Sequence, residues 1–239
     1  MAYTTIDDPS AYFQTKIYTG NNTDGTQITN DGSSNLQPDW LWIKNRTDSG
    51  GAPATGGLWD SVRGFAENKV LTTFSTNEEG ANSNGFAVAT TNGFTVEDGT
   101  SGGNPRTATN LNAKNYVAWQ WKESATAGFD IVTYTGTGSA RTVSHSLSAV
   151  PNMMIVKRRD SAGGWITFHS SLGNTKILEL HDTGASQSSS SSWNNTSPTS
   201  SVFTVGDANA VNANSGTFVA YLFAEKKGYS KFGSYTGNG

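Results

Sequence analysis

The chain has 239 residues, of which 15% are charged, and its formal net charge is −3 at pH 7. This balance gives no electrostatic footprint for nucleic acid, so we expect no nucleic-acid partner. The absence of cysteine excludes disulfides and thiolate metal sites, and we expect no metal and no cofactor. The N-terminus lacks the pattern of a secretory signal, and no apolar run approaches the ~20 residues of a membrane helix, so we expect no membrane insertion.

Short strand patterns follow one another along the chain. They lie at residues 14–19, 40–44, 58–62, 69–73, 85–90, 94–97, 116–122, 129–135, 153–157, 166–169, 176–180, 203–205 and 218–225. Glycine, asparagine and serine fill the segments between them, as tight turns require. At most one or two short helical turns are expected, because Gly64 interrupts the best helical segment. The pattern predicts an all-β protein built from β-sandwich units of jelly-roll or lectin-like type.

The chain also repeats itself. Tyr18-Thr19-Gly20 returns at residues 134–136 and again at residues 235–237, and residues 38–46 resemble residues 151–159. We therefore predict an N-terminal segment at 1–12, a first β repeat at 13–123, a second β repeat at 129–225 and the start of a truncated third repeat at 226–239. The two full repeats would form separate sandwiches or share one, and the sequence leaves both arrangements open.

Groups that could perform catalysis are scarce. The chain has three histidines, and a His/Asp/Ser arrangement could use Ser144 or Ser170, but nothing that resembles a nucleophile elbow surrounds either serine. The acidic pairs Glu78-Glu79 and Glu97-Asp98 are adjacent, so their side chains point apart in an extended strand and do not form the carboxylate pair of a glycosidase. We expect no enzymatic activity.

The seven tryptophans divide into two groups when the repeats are compared. Five have large apolar counterparts in the second repeat, which favours core positions: Trp40, Trp42, Trp59, Trp119 and Trp121. Trp165 and Trp193 fall opposite Gly56 and Asn84, so the shared fold does not need an aromatic ring there. These two are the best candidates for an exposed contact with a ligand or subunit, and packing under a loop is the alternative.

Lys157-Arg158-Arg159 is the densest basic run of the sequence. Its counterpart, Lys44-Asn45-Arg46, keeps the two outer positions basic. One interpretation is a solvated strand edge guarded by charge. The other is binding of an acidic partner, such as a bacterial surface polysaccharide or an adjacent subunit, and it makes Lys157, Arg158 and Arg159 candidate ligand-binding residues.

Several segments together carry a resemblance to a known family: residues 13–20, 37–46, 60–64, 116–122 and 228–237. In combination they resemble the repeat-bearing structural proteins of tailed phages that infect marine and aquatic bacteria, often labelled tail fibre or virion structural proteins. The resemblance implies a virion component without enzymatic activity that contacts the host or neighbouring virion proteins. It also implies a homo-oligomer. The first hypothesis is a tail fibre or adhesion element that binds glycans of the bacterial surface. One alternative is a capsid decoration or scaffold protein without a ligand. Another is a polysaccharide depolymerase, which the absence of a carboxylate pair disfavours.

Overall fold

The computed structural model describes residues 4–47, 56–81, 85–99 and 107–238, and they divide into two compact units. The first unit comprises Asp8–Glu123 with Ser161–Gly163, and the second comprises Ser124–Asp160 and Gly164–Gly239 with Met1–Asp7. Antiparallel strands build both units, and helix is confined to a few single turns. The predicted all-β fold with little helix is confirmed.

The first unit contains seven strands among its described residues. They are β1 (Phe13–Thr19), β2 (Thr26–Thr29), β3 (Trp40–Asn45), β4 (Gly56–Asp60), β5 (Phe86–Thr90), β6 (Gly93–Glu97) and β7 (Asn115–Trp121), with 3-10 turns at Pro9–Ala11 and Glu67–Lys69. One sheet has the strand order β1-β7-β3-β4, and the other has the order β2-β6-β5. Buried side chains of both sheets, including Tyr18, Leu41, Trp59, Ile28 and Phe94, form one core. Side-chain alternation along each strand supplies this inner face.

The second unit has eight strands and two helical turns among its described residues. They are β8 (Phe129–Thr135), β9 (Arg141–Ser144), β10 (Met153–Arg158), β11 (Trp165–His169), β12 (Lys176–Glu179), β13 (Gln187–Ser188), α1 (Ser190–Trp193), β14 (Val202–Val205), α2 (Asn209–Asn212) and β15 (Thr217–Phe223). The larger sheet has the order β13-β12-β11-β10-β15-β8, and β14 pairs with β9. The core again joins the two sheets, with Phe168 and Leu222 from one and Phe203 from the other.

Corresponding strands of the two units pair in the same order and register. The order β1-β7-β3-β4 of the first unit matches β8-β15-β10-β11 of the second. Trp40 lies opposite Trp121 in the first unit, and Met153 lies opposite Phe223 in the second. Each unit has its own pair of sheets and its own core, so separate sandwiches are observed rather than a shared one.

The tyrosines of the first two Tyr-Thr-Gly motifs are anchored in the same way. The Tyr18 ring stacks on Tyr116 with centroids 5.2 Å apart, and its hydroxyl donates to the Thr109 carbonyl at 2.7 Å. The Tyr134 ring stacks on Phe218 at 5.1 Å, and its hydroxyl also donates to a backbone carbonyl at 2.7 Å. Burial raises the pKa of both phenols, so each stays a neutral donor.

The glycine of the motif is required by a close backbone approach. A Cβ on Gly20 would collide with the Leu111 carbonyl oxygen, and a Cβ on Gly136 would collide with the Ala213 carbonyl oxygen. Gly20 and Gly136 also donate backbone hydrogen bonds of 2.8 Å at equivalent points of the two units. The motif is therefore a structural requirement of the turn that follows β1 or β8.

The third Tyr-Thr-Gly segment differs from the first two. Residues 231–238 form no strand, and Tyr235 is 96% exposed. The prediction that residues 226–239 begin a further repeat stays a prediction. One predicted strand, residues 69–73, is wrong: Leu71 makes only an isolated bridge to Leu58, beside the 3-10 turn at Glu67–Lys69.

Candidate functional site

Trp165, one of the two tryptophans expected to be exposed, is buried. It begins β11, lies opposite Lys157 of β10, and is 0% exposed. The Lys157 ammonium lies 5.9 Å from the centre of the indole ring, and Lys157 is also 0% exposed. Of the two interpretations of Trp165, packing is therefore observed and an exposed contact is not, and the interpretation of a solvated strand edge is wrong for Lys157. The physical reason is that β10 and β11 are interior strands of a six-stranded sheet, where a lysine stem and an indole cover each other.

Trp193 is also buried, with 1% exposure, so here too packing is observed and an exposed contact is not. It ends α1, whose first turn is capped by the Ser189 hydroxyl accepting from the Ser192 amide. The indole N–H donates to the Lys176 carbonyl at 3.1 Å, and the ring meets Phe168 edge to face at 6.0 Å. The end of the serine run therefore forms a helical turn, and this turn places the Trp193 side chain in the core of the second unit.

The rest of the basic run takes part in local structure. Arg158 donates two hydrogen bonds to Asp160, at 3.1 and 2.9 Å, and Asp160 also accepts from the Thr217 amide at 2.8 Å. The hydrogen bonds from Arg158 hold the pKa of Asp160 at about 2. The Arg159 amide donates to the Thr217 carbonyl. Because side chains alternate along β10, Lys157 and Arg158 point to opposite faces of the sheet, and the run does not form one basic surface.

A different group of side chains forms a continuous aromatic surface on the first unit. It lies on the face of the β1-β7-β3-β4 sheet that is turned away from the core, and we call it the aromatic face. Its members are Phe13, Trp40, Trp42, Trp119 and Trp121. Trp40 is 3% exposed, whereas the other four are half-buried. Ile17, on the same side of β1, is 60% exposed and extends this apolar surface.

The rings of the aromatic face contact one another in a chain. Phe13 lies 4.5 Å from Trp121, and Trp121 lies 4.6 Å from Trp40. Trp40 lies 5.9 Å from Trp42, which lies 5.1 Å from Trp119. The interplanar angles run from 47 to 72°. Such tilted and edge-to-face contacts hold each ring in place and leave part of each half-buried ring accessible.

Equivalent positions of the second unit lack this surface. Trp42 corresponds to Ile155 and Trp119 corresponds to Tyr221, and these two counterparts are 6% and 0% exposed. The prediction that five tryptophans fill the core is correct for Trp59, which is 0% exposed and packs in the core of the first unit. Trp40 is buried as predicted, but it lies on the outer face of the sheet. The prediction is wrong for the three half-buried rings. Their i, i+2 spacing in two adjacent strands was the signal that could have identified a shared outer face.

Buried charges of the first unit hold its own turns. The Asp60 carboxylate accepts hydrogen bonds from the backbone and the side chain of Arg63, and both side chains are fully buried. Arg63 also donates to the Lys69 carbonyl at 2.6 Å. This ion pair fixes the turn after β4. Within the described residues, no group of three or more His, Asp or Glu side chains is placed to hold a metal ion, and no helix is long and apolar enough to cross a membrane.

The fold and the site define an all-β protein of two sandwich units, one of which carries an aromatic sheet face. The model of the DUF7483 family, a domain of unknown function, matches residues 8–239, so the chain belongs to this family. Neither the curated proteins nor the solved structures that were searched gave a match.

Proposed function

We propose that the chain is a non-enzymatic structural protein of a bacteriophage virion, a tail fibre or adhesion component that contacts glycans of the bacterial surface through the aromatic face. The observation that carries this proposal is the row of half-buried rings on the outer face of a rigid sheet. In the virion the protein would be a homo-oligomer in contact with other virion proteins.

Aromatic rings suit glycans for a physical reason. The face of an indole carries negative charge density, and one face of a pyranose ring presents C–H groups with partial positive charge, so the two stack in water while the sugar hydroxyls stay hydrated. Contiguous apolar patches on a protein surface mark binding sites. Trp42 and Trp119, whose rings are 5.1 Å apart and tilted by 47°, offer adjacent stacking surfaces. A sheet positions such groups more rigidly than a loop does.

The proposal can be tested with the indole N–H signals of the seven tryptophans in a ¹⁵N-labelled sample. Titration with bacterial surface polysaccharides, chosen from those that bind the oligomeric protein on a glycan array, should shift the signals of Trp42, Trp119 and Trp121. The signals of the buried Trp59, Trp165 and Trp193 are internal controls and should not move. Shifts confined to the buried tryptophans, or no array binding above background, would contradict glycan binding.

Substitutions sharpen the test. Trp42→Ile introduces the residue found at the equivalent position of the second unit, and Trp119→Leu keeps an apolar side chain but removes the ring. Each should weaken binding about fivefold, since one aromatic stacking contact contributes about 1 kcal/mol and 1.4 kcal/mol corresponds to a factor of ten. Val150→Ala removes another exposed apolar side chain, 52% accessible, and should leave the affinity unchanged.

Location in the particle separates the proposal from its alternative. Immunogold labelling of intact virions should place the protein on the tail. Labelling of the head, together with an absence of glycan binding, would favour a capsid decoration protein. Virions that carry no label would overturn the structural role itself.

A further inference from the structure

The second unit has a polar groove with a volume of about 550 Å³. Three segments form it: the turn between β8 and β9, α1 with the two residues after it, and the turn between β14 and α2. The lining residues are Gly138, Ser139, Ala140, Ser190, Ser191, Asn194, Asn195 and Asp207. All eight lining residues are exposed, so the groove is open to solvent along its length.

The walls of the groove are fixed by one buried side chain. Asn212, which is 0% exposed, accepts from the Thr137 amide at 2.9 Å and donates to the Ser139 and Gly206 carbonyls at 2.7 and 2.6 Å. The Gly206 amide in turn donates to the Ser192 carbonyl at 2.9 Å, which ties α1 to the same assembly. The groove is therefore held by backbone and buried hydrogen bonds, and its lining side chains are not needed to shape it.

Those side chains are uncommitted. Among the described residues, no hydrogen bond or ion pair is made by the side chains of Ser190, Ser191, Asn194, Asn195 or Asp207. Asn194 and Asn195 follow the end of α1, and both have a positive φ of 50°. Both residues are exposed. Hydroxyl, amide and carboxylate groups thus surround one concavity with their bonding capacity unused.

The chemistry of the lining selects its ligand. The eight lining residues include one carboxylate and no cation, which disfavours an anion. They include no aromatic or large aliphatic side chain, which disfavours an apolar ligand. Adjacent hydroxyls of a neutral sugar both donate and accept, so they match a carboxylate and two amides placed side by side. We infer that the groove is a second saccharide site, one that takes a neutral mono- or disaccharide unit through Asp207, Asn194 and Asn195.

This inference uses the same ligand class as the proposed function but does not rest on the aromatic face. The test is a titration of the backbone amides of the full chain by NMR, with maltotriose, chitotriose and mannotriose as probes. We expect amides near residues 194, 195 and 207 to shift with at least one probe. Asp207→Asn and Asn195→Gly should each weaken that response about tenfold, since a hydrogen bond that involves a charged or otherwise unpaired group is lost.

The variants are chosen to keep the fold. Glycine accepts the left-handed conformation of residue 195, so Asn195→Gly removes the amide without backbone strain. Asp182→Asn changes an exposed carboxylate of the same unit outside the groove and serves as the matched control. It should bind like the wild type.

The outcomes separate the two proposals. Shifts at the tryptophan indoles without shifts in the groove would overturn the groove site and leave the proposed function intact. Shifts in the groove without indole shifts would support the groove site and contradict the aromatic face as the binding surface. A groove response to calcium chloride but to no sugar, or no response to any probe, would overturn the saccharide assignment.

Discussion

Substitution of Gly136 by alanine tests whether the Tyr-Thr-Gly motif is a structural requirement. The new Cβ would collide with the backbone carbonyl of Ala213, which a rotamer change cannot move aside. Overpacking of this kind costs about 1–3 kcal/mol, and a clash with backbone belongs near the upper end. Alanine also has less conformational freedom than glycine in the unfolded chain, and this effect stabilises the folded state by up to about 1 kcal/mol. We therefore expect a net loss of about 2 kcal/mol, or roughly 8 °C in melting temperature for a unit of this size.

Calorimetry measures the melting temperature, and hydrogen exchange with mass spectrometry identifies the unit that is destabilised. Gly136→Ala should increase exchange in β8 and β15, whereas Gly20→Ala should increase exchange in β1 and β7. Gly233→Ala is the control, because a Cβ there meets no atom within 4 Å and the backbone is not left-handed. A Gly136→Ala variant that melts at the wild-type temperature would refute the close-approach argument.

Two further predictions concern buried and surface polar groups. Asn212→Ala should lower stability by about 3 kcal/mol in urea unfolding, because a fully buried side chain that makes three hydrogen bonds is lost and the buried Gly206 carbonyl is left without this partner. Asn110→Ala, at the equivalent position of the first unit, should act similarly. A loss below about 1 kcal/mol for both variants would contradict this role. Asp160→Asn should cost less than about 1 kcal/mol at pH 6, because the Arg158 pair is partly exposed. The lowered pKa of Asp160 means that its contribution is complete above the unfolded-state value of about 4 and is lost as the pH falls through about 2, so the difference between wild type and variant should shrink below pH 4 and disappear below pH 2. A difference that stays unchanged between pH 6 and pH 2 would show that the ionised carboxylate is not the cause.

The strands could be predicted from sequence where they bury a full face. β3 and β7 contain continuous apolar runs, Trp40–Ile43 and Tyr116–Trp119, and the predicted strands lie within two residues of the observed bounds. β2 and β9 were missed because each buries a single side chain, Ile28 in one and Val143 in the other, which leaves no detectable alternation. Residues 69–73 were assigned as a strand because Val70 and Leu71 are apolar, and both are buried without forming a ladder.

The candidate site shows where comparison of the two repeats succeeds and where it fails. Trp165 and Trp193 were correctly separated from the shared pattern, but a residue outside a shared pattern can still be core. In the second unit α1 brings Trp193 against Phe168, and both rings are part of the core of that unit. Comparison of the two repeats identifies positions that share a residue type. It does not show whether the surrounding side chains leave a space in the core that an unshared residue fills.

Trp42 and Trp119 show the converse error. Their counterparts Ile155 and Tyr221 are buried, so the large apolar residues at both positions were interpreted as core filling. The accessibility of a side chain, however, depends on what covers its face of the sheet. Two sheets with the same strand register can therefore differ, with equivalent residues covered in one unit and partly exposed in the other. The buried tyrosines, glycines and asparagines are equivalent in the two units because they hold the turns. The aromatic rings of the first unit and the uncommitted amides of the second are not equivalent. A shared framework thus leaves each unit free to carry its own binding chemistry, and single substitutions on the aromatic face or in the groove should change binding without changing the fold.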